Sequence, residues 1–116
     1  MNDGSVVSRR AVTRKLFFYS PFNFPKVSIL DPTTTFSLPV RQTSNGVVDA
    51  FVHVCEQYIT FPQHADVQDR FAEALLMTLY ENGKKVMETP NDYNVRANIM
   101  WAATQVCACL TSSHAP

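Results

Sequence analysis

The stretch Asn45-Gly46-Val47-Val48-Asp49-Ala50-Phe51-Val52-His53-Val54-Cys55-Glu56-Gln57-Tyr58 decides how the chain folds. Its apolar residues Val47, Val48, Phe51, Val54, Cys55 and Tyr58 recur at i, i+3, i+4 and i+7, the spacing that lines one face of an α-helix. Asn45 or Ser44 is expected to cap this helix and Pro62 to end it. Asp49 and His53 stand four apart and off the stripe, so their side chains share a second face one turn apart. Glu56 continues that face. A carboxylate and an imidazole so placed can hold one divalent metal from one side. They can equally be a solvent-facing pair, because two ligands do not complete a metal site.

The helical period persists downstream. Asp66 is a second cap candidate, followed by an apolar face of Phe71, Ala72, Leu75, Leu76 and Leu79, with Gly83 as the expected break. Pro90 and Asn91-Asp92 open a third helix, whose expected stripe is Tyr93, Ala97, Met100, Trp101, Thr104 and Cys107. Trp101 and the set Met77, Met87 and Met100 read as packing residues rather than a cofactor box.

Upstream the character changes. Residues 1–38 are rich in Val, Thr, Phe and Pro. Val6-Val7, Leu16–Tyr19 and Val27–Leu30 are β-prone, and Pro21, Pro25 and Pro32 exclude long helices. The expected architecture is α+β and mainly α: a β-rich segment over 1–38 with two or three short strands, then about three helices over 39–116.

With 116 residues, 46% hydrophobic and 17% charged, the chain can bury a small core. A net charge of zero favours self-association and gives no general attraction to nucleic acid. No apolar run is long enough to span a bilayer, and Met1–Arg10 lacks the apolar stretch of a secretory signal. Cys55, Cys107 and Cys109 show no disulfide-framework spacing, so reduced thiols in a cytoplasmic protein are expected.

Charge is unevenly spread. Residues 1–41 hold six basic and two acidic residues, and the remainder four basic and eight acidic. Two unlike surfaces would explain this, as would an anion site near the N-terminus. Lys15, Arg14 and the Asn2-Asp3-Gly4 turn could cradle a phosphate, with Gly admitting the backbone and Lys supplying the charge. An exposed basic strand is the simpler alternative, since no Gly-rich fingerprint or Walker loop is present. No Ser or Cys sits in a nucleophile elbow. His64 falls in an expected loop.

The stretch 45–58 resembles the metal-helix signature of iron-containing alcohol dehydrogenases, most closely the NADPH-dependent butanol dehydrogenase (aldehyde reductase) subgroup. Ser20–Pro32 is similar to the strand before that helix, Leu38–Gln42 to its lead-in, and Asn91–Gln105 to a downstream helix. The resemblance runs from Met1 to about Leu110. It implies a Rossmann-like nucleotide domain followed by a helical metal domain, with residues 1–38 matching the end of the former and 39–116 part of the latter. It implies that Asp49 and His53 match two of four ligands to a divalent metal, iron or zinc. It implies that Asn2, Gly4, Lys15, Ser37 and Leu38 match positions that meet NAD(P).

The departures are specific. The family's other two ligands are histidines on helices downstream of the matching region. Its Gly-rich diphosphate turn lies upstream of the position matched by Met1, and His114 is outside the histidine motif. The expectation is an interior piece of an alcohol/aldehyde oxidoreductase, catalytically inactive alone. The alternative is a repurposed, non-catalytic binding module, a homo-oligomer through its exposed helical face, with no nucleic-acid or membrane partner.

Overall fold

Pairing and packing order the chain into a hairpin and three helices. The computed structural model describes residues 4–59 and 65–109, with side chains to Val106. Strands β1 (Gly4–Arg9) and β2 (Arg14–Tyr19) pair antiparallel, with Gly4 opposite Tyr19 and Arg9 opposite Arg14. Thr13 closes the connection in the left-handed conformation, φ 50°, donating its N–H to Arg10 O. A 3-10 turn, Pro32–Thr35, then leads into α1 (Val40–Tyr58), α2 (Asp66–Glu88) and α3 (Tyr93–Cys109).

The core forms where the three helices meet: Ala50 and Val54 from α1, Ala72, Leu75 and Leu79 from α2, and Ala102 and Val106 from α3. Phe51, Leu76, Ile99 and Ala103 pack against it half-buried. Val54 and Leu79 are fully enclosed. Burying a side chain such as Leu79 contributes on the order of 1.5–3 kcal/mol. Tyr58 Oη donates to Glu73 Oε1 at 2.9 Å and ties the end of α1 to α2. Among the described residues no helix is long and apolar enough to cross a membrane.

Several elements depart from expectation. Val27–Leu30 joins no ladder, since the sheet of the described residues contains β1 and β2 alone. Val27 and Ile29 are 80% and 87% exposed, and β propensity without a partner strand does not make a strand. Helix α1 starts at Val40 rather than near Asn45. Pro39 O accepts the N–H groups of both Gln42 and Thr43, so its carbonyl starts the helix without a side-chain cap. Asp66 is the first residue of α2 rather than its cap, where a carboxylate complements the helix dipole. Pro62 lies outside the described residues.

Gly83 does not break α2, which continues to Glu88. Its missing side chain is needed for contact: a Cβ there would stand 2.8 Å from Val47 Cγ1. Asp92 opens α3 as expected of this segment, its Oδ1 accepting the N–H groups of Asn94 and Val95 at 2.8 and 3.2 Å. The buried face of α3, however, is Val95, Arg96, Ala102 and Val106, while Tyr93 and Trp101 are 52% and 59% exposed. Trp101 and Met77 are therefore surface residues, not packing residues. Phe71 and Val48 also lie outside the core.

Candidate metal and nucleotide site

Helix α1 positions the expected metal ligands. Asp49 and His53 sit on an exposed face of it, turned about 100° from the buried Ala50 and Val54 that follow each of them in sequence. Asp49 Oδ2 and His53 Nε2 face each other at 3.8 Å. On the other edge of the ring, His53 Nδ1 faces Glu56 Oε2 at 3.5 Å. The three side chains form one polar strip reachable from solvent. A carboxylate oxygen and an imidazole nitrogen are donors that iron and zinc both accept. Among the described residues no third His, Cys, Asp or Glu joins them to complete a cluster. The donor set fits half of a divalent-metal site.

The expected nucleotide positions are more dispersed. Gly4 and Lys15 lie on the same face of the hairpin, but Lys15 pairs with Ser8 and Gly4 with Tyr19. Four residues of strand separate them, about 14 Å along the ladder. Gly4 begins β1 and Lys15 lies near the turn, so the two do not form one cradle. Asn2 lies outside the described residues, as does His64. Both strands are largely exposed, with Phe17 and Tyr19 in edge-to-face contact at 4.5 Å.

Ser37 and Leu38 follow the 3-10 turn. Asp31 Oδ1 builds that turn, accepting from Thr33 N at 2.9 Å and Thr33 Oγ1 at 2.7 Å. These bonds favour the ionised carboxyl and hold its pKa below the usual carboxylate value. Leu38 N donates to Thr35 O at 3.1 Å.

Sequence reasoning missed Arg96, which anchors this segment. It is 5% exposed. Its Nε donates to Pro90 O at 2.5 Å, and its Nη1 to Thr35 O at 2.8 Å and Thr43 Oγ1 at 3.5 Å. The guanidinium also lies over the Phe36 ring, 5.9 Å from its centre. One side chain of α3 thus fixes both the turn before Ser37-Leu38 and the first turn of α1. The signal that could have revealed it is the stripe Val95, Ile99, Ala102 and Val106, beside which Arg96 must lie. A cavity of about 340 Å³ opens next to it, lined by Leu38, Gln42, Gly46, Val47, Ile99 and Met100 among others.

Comparison with known proteins gives a consistent assignment. A model of the Fe-containing alcohol dehydrogenase family, C-terminal, matches residues 43–114. The chain is 50% identical over 115 residues to the NADPH-dependent aldehyde reductase YqhD of Escherichia coli K12, covering 99% of this chain and 30% of that protein. A solved substrate- and cofactor-free form of the E. coli reductase is similar with a TM-score of 0.81 and 53% identity, over 90% of this chain and 27% of that one. NADH-dependent butanol dehydrogenase A of Thermotoga maritima gives a TM-score of 0.79 and 33% identity, over 97% of this chain and 28% of that one. The chain therefore spans under a third of the length of these relatives. The family match takes in α1 from Thr43 onward, with Asp49 and His53, and all of α2 and α3: the chain belongs to the iron-containing alcohol dehydrogenase family.

Proposed function

We propose that this chain carries the metal-helix portion of an NAD(P)H-dependent alcohol/aldehyde oxidoreductase. Asp49 and His53 supply two of the ligands to a divalent metal, iron or zinc. Asn2, Gly4, Lys15, Ser37 and Leu38 supply part of the surface that meets NAD(P). The observation that carries this reading is the facing pair Asp49 Oδ2 and His53 Nε2 on the exposed face of α1, inside the span matched by the family model. A metal bound there supplies Lewis acidity toward an alcohol or aldehyde oxygen. Within this chain, Ala50 and Val54 anchor the helix in the core, so the two donors are held a fixed turn apart. Arg96 keeps the Ser37-Leu38 segment against the start of the same helix. With half of the metal ligands, the chain alone is expected to turn over no aldehyde.

The test is titration of the metal-stripped chain with Zn(II) and Co(II) by calorimetry, with the oligomeric mass measured in parallel. Weak binding that disappears in Asp49→Ala and in His53→Ala is the expected result. Absence of binding, or binding indifferent to both changes, overturns the reading.

A second reading is a non-catalytic oligomeric module. Val48, Val52, Met77, Tyr80 and Trp101 are exposed on the helices, and apolar surface of this kind favours association. In a symmetric dimer two Asp49/His53 pairs would offer four ligands. One metal per two chains supports that arrangement, and a metal-free monomer excludes it.

A further inference from the structure

We propose that the cavity between the first turns of α1 and α3 binds a small organic monocarboxylate, with the carboxylate on Arg96 and a short aliphatic chain against Val47, Ile99 and Met100. The argument begins with charge. Arg96 is 5% exposed and forms no ion pair among the described residues. A buried cation is ordinarily paired, because an uncompensated charge away from water is costly. Its Nε and Nη1 are taken by the oxygens of Pro90, Thr35 and Thr43, but Nη2 has no acceptor among the described residues. The space beside Arg96 is the cavity of about 340 Å³ that it lines.

The surroundings favour an anion. Arg96 is the fourth residue of α3, and Gln42 and Thr43 are the third and fourth of α1, so the cavity is bordered by the first turns of both helices. None of the lining residues described is acidic. The nearest carboxylate in sequence, Asp92, is engaged with the N–H groups of Asn94 and Val95. A planar guanidinium edge suits a carboxylate. Beyond the charge the walls are apolar, with Val47, Ile99, Met100 and Ala103, which suits a few methylenes and not a polyphosphate. This proposal needs no metal and stands apart from the Asp49/His53 reading.

The experiment is ligand-observed NMR on the full chain in the presence of EDTA, with butanoate as probe and 1-butanol and inorganic phosphate as comparisons. Gly46→Leu is the principal variant. A Cβ at 46 would meet nothing within 4 Å, so the substitution fills the cavity without a clash and suits a helix. Arg96→Met is the second variant. Butanoate is expected to bind the wild-type chain and to bind Gly46→Leu at least about tenfold more weakly, because the leucine side chain takes the space of the aliphatic chain. 1-Butanol is expected to bind far less. No butanoate binding, equal binding to wild type and Gly46→Leu, or phosphate binding as strong as butanoate would each overturn the proposal. Arg96→Met, if folded, should abolish binding, and unchanged binding would also overturn it.

Discussion

Val47 of α1 rests directly on Gly83 of α2: a Cβ at position 83 would stand 2.8 Å from Val47 Cγ1. Valine is stiff about χ1 and cannot swing that methyl aside cheaply. Gly83→Ala gains about 1 kcal/mol of helix propensity but forces the two helices apart, at about 1–3 kcal/mol. A net loss of stability is expected in urea unfolding. In Val47→Ala the contact is gone, so adding Gly83→Ala there should stabilise. Strictly additive effects in the double variant would show that the contact does not limit the approach of α1 and α2.

Leu79 is fully buried between the helices. Leu79→Ala should cost about 2–5 kcal/mol. Trp101→Ala, at a residue 59% exposed, should cost far less despite removing a larger side chain. Thermal melts of the two variants check the assignment of the inner face of α3, and a larger drop for Trp101→Ala would contradict it.

Arg96 joins residues 61 and 53 positions away in sequence. Arg96→Ala removes hydrogen bonds made by a charged group, worth about 1.5–3 kcal/mol each. A loss of about 2–4 kcal/mol is expected, since the freed carbonyls regain some water. Denaturant unfolding should also show Arg96→Lys recovering only part of the loss, because an ammonium cannot reproduce the planar fork.

Two exposed groups set a pH dependence. The hydrogen bonds from Thr33 lower the Asp31 pKa, so its contribution is complete above the unfolded carboxylate value and vanishes as pH falls through the folded one. Asp31→Asn should therefore differ from wild type at pH 7 and converge with it once the pH has fallen below the lowered value of the folded carboxyl. Tyr58 behaves oppositely. Its bond to Glu73 raises the phenol pKa, so that contribution is intact below the ordinary value and lost as pH rises through the folded one. Tyr58→Phe and wild type should converge once the pH has risen above the raised value of the folded phenol. Melting curves across pH measure both.

Chelation should leave the fold intact. Asp49 and His53 stand on the solvent side of α1, away from Val54 and Leu79. EDTA should leave the helical circular dichroism unchanged, and a collapse of the signal would show that the metal holds the helices together.

What was legible in the sequence was what local geometry dictates. The 3.6 period put Phe51 and Val54 on the inner side of α1, though it left out the buried Ala50 and took in the exposed Val48 and Tyr58, and the Asp49–His53 juxtaposition follows from an i, i+4 spacing. Two of the three β-prone runs became strands, and their pairing into a hairpin is seen only in the structure. Features set by distant partners were not legible. Gly83 reads as a helix breaker until Val47 is brought against it. Arg96 reads as a surface cation until Thr35 and Thr43 arrive from elsewhere in the chain. The face of α3 was misjudged because apolar and small residues surround that helix, so its periodicity has no sharp phase. The start of α1 was missed because the initiating acceptor is the backbone carbonyl of Pro39, to which side-chain capping rules are blind.

Every residue of β2 is exposed, and β1 is half-buried only at Gly4 and Ser5. A two-stranded ribbon without a buried face is marginal on its own. The molecule therefore has two tiers of local stability. Amide protons of residues 4–19 should exchange with solvent almost freely and the connection around Thr13 should be open to proteases, while the amides around Val54 and Leu79 exchange only when the three helices come apart.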